Sequence, residues 1–150
     1  MDAKTIVEWI RREHAAVQDL SARLRTQVSN LPTGHFDAWV KELRDRFEHL
    51  HAHLVKHMAL EEAGGYLSAV VERRPTLSRE VDRLKHEHRE MSSLMDSIKA
   101  AMEELTAEDR LLIQDCCTRI QSLLSCVEHH KQQENRMVVH VFNLDLGAIE

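Results

Sequence analysis

A chain of 150 residues, 43% hydrophobic, with 20 basic and 25 acidic side chains and a net charge of −5, is expected to form one domain around one core. Its interspersed charges exclude a basic nucleic-acid surface, and with no apolar run longer than three residues it encodes no membrane span. MDAKTIVEWIRREH lacks the apolar stretch of a secretion signal, so a cytoplasmic protein without membrane or nucleic-acid partners is expected. Cys116, Cys117 and Cys126 form no C-x-x-C pair and read as reduced thiols. The anomaly is histidine, at 11 residues.

Four Gly and two Pro leave few places to turn, and no stretch alternates apolar with polar residues, which predicts an all-α fold. The breakers cluster at Ser29 to His35, Gly64 to Thr76 and Leu105 to Asp109, dividing the chain into four helices. Thr106 and Asp109 read as a variant capping box for the last of them. The first helix carries Ile6, Ile10, Val17, Leu20, Leu24 and Val28 on one stripe, with His14 filling the position between Ile10 and Val17. On the second, Val40, Leu43, Phe47, Leu50 and Leu54 are followed by His57 and Glu61. The third runs Leu77, Val81, Leu84, His88, Met91, Met95, Ile98 and Met102. On the fourth, Ile113, Cys116, Ile120, Leu123 and Val127 lead to His130 and Glu134, then Met137 or Val138.

Six polar residues therefore occupy core-facing positions. Short loops make consecutive helices antiparallel in an up-down-up-down four-helix bundle. His14 and His88 stand roughly 16 Å into their helices at about 1.5 Å per residue. His57 with Glu61, and His130 with Glu134, stand a comparable distance before the ends of theirs, so all six are expected in one layer. An internal repeat agrees: His14 to His88 is 74 residues, while His57 to His130 and Glu61 to Glu134 are each 73. Each half offers Glu-His on one helix (Glu13-His14, Glu87-His88) and His-x-x-x-Glu on the next.

This set suits a pair of metal ions. Residues four apart on a helix have Cβ atoms roughly 6 Å apart, so both side chains of a His-x-x-x-Glu can reach one centre. Two carboxylates can bridge two cations while the imidazoles supply two terminal ligands to each, and the mixture suits iron, manganese or zinc rather than a closed tetrahedral zinc site. A hydrogen-bonded polar layer that sets the packing register is the bland alternative, against which stands a cost of several kcal/mol for each carboxylate buried without a cation. A haem held between two histidines would leave both glutamates without a role.

The ordered set His, His-x-x-x-Glu, His, His-x-x-x-Glu, carried by REHAAV, HMALEE, KHEHREM and HHKQQEN, resembles the hemerythrin-like, or HHE cation-binding, four-helix bundles over nearly the whole chain. The resemblance implies a non-haem di-iron centre on His14, His57, Glu61, His88, His130 and Glu134, with two iron ions oxo- or hydroxo-bridged when oxidised. Leu84 stands where the oxygen-carrying hemerythrins have a further histidine, and the fourth helix lacks their His-x-x-x-x-Asp pattern. In this the chain looks more like the metal domain of bacterial iron-centre repair proteins. Two functions follow as expectations: chemistry on dioxygen, nitric oxide or peroxide, with an unidentified redox partner, or an iron or oxygen binding, sensing or storage module without turnover.

Neighbouring residues leave alternatives open. His53 reads as an outer hydrogen-bond donor, an additional ligand or a plain polar residue, and Glu62 as a solvated charge or an extra ligand. His129 competes with His130, which fits the stripe better. Tyr66 reads as packing or as a donor to an iron-bound ligand, and His35, His49, His51, His86 and His140 as surface residues.

Overall fold

The computed structural model describes residues 2–63 and 65–142. Four long helices make up the molecule: α1 (Ala3–Ser29), α2 (Phe36–Glu62), α4 (Ser78–Glu103) and α5 (Arg110–Phe142). A short helix, α3 (Tyr66–Arg73), and a 3₁₀ turn (Pro75–Leu77) connect α2 to α4. The fold is the expected all-α bundle, with no strand among the described residues, and none of its helices is long and apolar enough to cross a membrane.

Side-chain chemistry sets the helix ends. Asp2 caps α1 by accepting a 2.8 Å hydrogen bond from Thr5 N–H. The start of α5 differs from expectation: the side chain of Asp109, not Thr106, accepts from Leu112 N–H at 3.1 Å, and Thr106 opens the turn before it. At the end of α4 the Arg44 guanidinium donates to the Met102 and Leu105 carbonyls at 2.9 and 2.8 Å, satisfying acceptors the helix leaves orphaned. Gln27 Nε2 donates to the Trp39 carbonyl at 2.8 Å and ties α1 to α2.

The predicted stripes are buried, except that Leu20 and Leu77 are only half-buried; Met137 and Val138 both face inward. Helix α1 packs on α2 and α5, and α4 packs on α5 and α2. The apolar side chains form two clusters. The larger, from Val17 to Val127, runs through Phe47, Leu50, Met95 and Ile120. The smaller joins Ile6, Ile10, Tyr66, Leu67, Val81, Leu84 and Val138. Helix α3 belongs to the second cluster, so the segment expected to be a plain connection buries Tyr66, Leu67 and Val70. Cys116 and Cys117 are buried free thiols, which burial pushes up to about 12 and about 11.

Candidate metal centre

The stripe positions between Ile10 and Val17 on α1, after Leu54 on α2, between Leu84 and Met91 on α4 and after Val127 on α5 all fall at the boundary of the two apolar clusters. His14, His57, Glu61, His88, His130 and Glu134 occupy them, none more than 4% exposed. Their donor atoms converge. His88 Nε2 lies 3.1 Å from His130 Nε2. Glu134 Oε1 lies 3.4 Å from the Nε2 atoms of both His14 and His130 and 3.9 Å from that of His57. Glu61 Oε1 is in close contact with His57 Nε2 and 3.7 Å from His88 Nε2. Two overlapping sets result, His57–Glu61–Glu134 and Glu61–His88–His130, each with its atoms within 4.8 Å of one another and with Glu61 in common.

A ring of carboxylates surrounds this layer. Glu13 Oε1 lies 3.4 Å from His57 Nδ1, Glu62 Oε2 2.8 Å from His88 Nδ1, and Glu87 Oε1 2.8 Å from His130 Nδ1. An ionised carboxylate only accepts, so each pairing places the imidazole proton on Nδ1 and aims a bare Nε2 lone pair inward, the arrangement of a metal-ligating histidine. Without a cation or an extra proton, the lone pairs of His88 and His130 would face each other at 3.1 Å. Both Glu61 oxygens are buried and make no aligned hydrogen bond. These are groups that a cation would satisfy, and the imidazole and carboxylate donors suit iron.

Without metal the centre must hold protons instead. Burial alone would push His57 down, but hydrogen bonds and attraction from Glu134 and Glu61 outweigh it and push it up to about 11. Glu61 is pushed well above the usual carboxylate range by burial and by repulsion from Glu134. Burial acts the same way on Glu134, yet the His130 charge and hydrogen bonds to Glu61, His14 and His57 hold it well below that range. Burial pushes His88 down.

Comparison with known families adds the deciding observation: the model of the hemerythrin HHE cation binding domain matches residues 5–141. The chain belongs to this family. No curated protein and no solved structure matches it. The match takes in all four long helices, and membership makes the chain a metal-binding protein, iron being the usual cation.

Within this HHE domain the weighed neighbours take definite places. His53 Nε2 lies 3.1 Å from Glu13 Oε2, outside the central layer. Glu62 is neither turned inward nor simply solvated: it backs His88. His129 is exposed and 3.6 Å from Glu87, while its neighbour His130 is buried in the layer. Tyr66, completely buried, donates from its hydroxyl to Glu134 Oε2 at 2.5 Å, and burial followed by the charges of Glu134 and Glu61 raises it well above its ordinary value. Of the expected surface histidines, His51 is half-buried because its ring stacks on Phe47, while His35, His49, His86 and His140 are exposed. Sequence reading missed Trp9, whose ring stacks on His57 at 5.3 Å between centroids and 5° between planes. Its signal was its place one turn before Glu13 on the same face of α1.

Proposed function

We propose that this HHE domain is a non-haem di-iron protein that binds or reacts with a small ligand, dioxygen, nitric oxide or peroxide. In this reading His14 and His57 serve one iron ion, His88 and His130 the other, and Glu61 and Glu134 are shared between them. The observation that carries it is the pair of overlapping donor sets joined by Glu61, both of whose buried oxygens lack a hydrogen-bond donor. Bound iron would supply the redox change and the open coordination positions.

The protein's own groups do the rest. Glu13, Glu62 and Glu87 fix the imidazole tautomers, and Tyr66 holds a proton at Glu134 Oε2. The apolar clusters on either side keep bulk water from the layer. A groove of about 450 Å³, lined by residues including Val55, Met58, Glu62, His88 and Arg89, gives a small ligand a way to the His88 side.

The test is anaerobic stopped-flow mixing of the iron-loaded, reduced protein with each gas and with peroxide, alongside a turnover assay. Rapid oxidation of the protein by dioxygen or peroxide supports the reactive reading. Uptake of dioxygen that reverses fully under vacuum, with no turnover of peroxide, would move the function to oxygen carriage or storage.

A further inference from the structure

The two halves of the molecule are related residue by residue, and the repeat extends to the outer partners. Glu13 on α1 backs His57 on α2, and 74 residues later Glu87 on α4 backs His130 on α5. Glu62 on α2 backs His88 on α4. The position 73 residues beyond Glu62 is Asn135 on α5, and the histidine that it would back is His14 on α1. The same neighbour relation holds in both halves: His88 approaches Glu61, the residue before Glu62, and His14 approaches Glu134, the residue before Asn135.

Where the fourth pair belongs, three buried polar atoms stand without partners. His14 Nδ1 makes no hydrogen bond, and neither do Asn135 Oδ1 and Nδ2, although the two residues are only 3% and 5% exposed. A buried polar group left unpaired costs about 1–3 kcal/mol, and His14 and Asn135 lie on helices packed against each other. Each supplies what the other lacks.

We infer that Asn135 is the outer partner of His14, its Oδ1 accepting from Nδ1–H when a metal ion engages Nε2, and that the two ends of the centre consequently differ. The inference rests on the two-ion reading above. Three histidines are backed by carboxylates, which accept only and raise the basicity of the ring. The fourth is backed by a neutral amide, which accepts through Oδ1 but donates through Nδ2, so it also tolerates the tautomer whose Nε2 carries the proton and cannot bind. The ion at the His14–His57 end is therefore held less tightly than the ion at the His88–His130 end.

The test is titration of the metal-free protein with zinc against a competing chelator, together with ¹⁵N spectra of the histidine rings in the zinc-loaded protein. Two unequal steps are expected. Asn135→Leu, similar in size without polar atoms, should weaken the weaker step by roughly ten- to a hundred-fold and shift the His14 Nδ1 resonance. Asn135→Asp should tighten that step and bring the two together, whereas Glu62→Gln should weaken the other step by a similar factor. If both Asn135 variants leave the steps and the His14 resonance unchanged, the inference is overturned while the two-ion reading stands. Saturation at one zinc per chain overturns the two-ion reading instead, and the response of the His14 resonance to Asn135→Leu still decides the pairing. A purely structural Asn135 would change only the melting temperature of the metal-free protein.

Discussion

In the metal-free protein His57 carries a proton that bound metal would displace. Burial works against that charge, but Glu134 and Glu61 overcome it, raising the group from 6.5 to about 11. A folded-state value above the unfolded one contributes stability that is fully present below pH 6.5 and is lost as pH rises towards about 11. Melts of chelator-treated protein should therefore fall in temperature across that interval. Metal binding needs the neutral ring, so apparent zinc affinity should rise over the same interval; affinity flat in pH would remove His57 from the binding set. Tyr66→Phe strips the donor from Glu134 Oε2 and should lower the stability of the metal-free protein by about 1–3 kcal/mol in denaturant melts. The six central residues were legible because each interrupts an apolar stripe. Glu13, Glu62 and Glu87 lie off the stripes, on partly exposed positions where a carboxylate ordinarily signifies only solvent, so their role was visible only once the helices were packed.

At the scale of the element, the turn after α2 couples the centre to α3. A Cβ on Gly65 would stand 2.2 Å from the Leu60 carbonyl oxygen and 2.9 Å from that of Glu61, both backbone atoms. Gly65→Ala should therefore push α3 away from Glu61 and Tyr66 away from Glu134, costing about 1–3 kcal/mol by thermal melt and weakening zinc binding. An alanine variant with unchanged stability and affinity would show that the turn does not govern the site. The four long helices could be read from period and breakers alone. Helix α3 could not: its eight residues lie between a glycine pair and a proline, too short for periodicity to separate from a loop, and it is held by packing Leu67 and Val70 into the smaller apolar cluster. The start of α5 was misplaced because Thr106 and Asp109 both suit a cap, and only the hydrogen bond to Leu112 N–H selects Asp109.

For the whole molecule, the candidate donors come from all four long helices, so metal bound only by the folded state must stabilise the bundle. Free ion at a thousand times its dissociation constant contributes about 4 kcal/mol, or roughly 8–16 °C in melting temperature for a chain of this size. Chelation should produce a drop of that order while leaving the protein helical by circular dichroism. Glu134→Ala should abolish most of the metal-dependent increment, and His35→Ala none of it. The 73- and 74-residue repeat made this two-halved arrangement visible in the sequence; the exchange of glutamate for asparagine at position 135 gained its meaning only from the unpartnered atoms around it.

The central claim is that one chain holds two iron ions between its shared glutamates. Iron content per chain, measured after anaerobic loading with ferrous ion and removal of the excess, tests it most directly. The account predicts two iron ions per chain, falling sharply in Glu61→Ala and Glu134→Ala while His140→Ala keeps both. One ion per chain, or a content that does not respond to either glutamate, would contradict it.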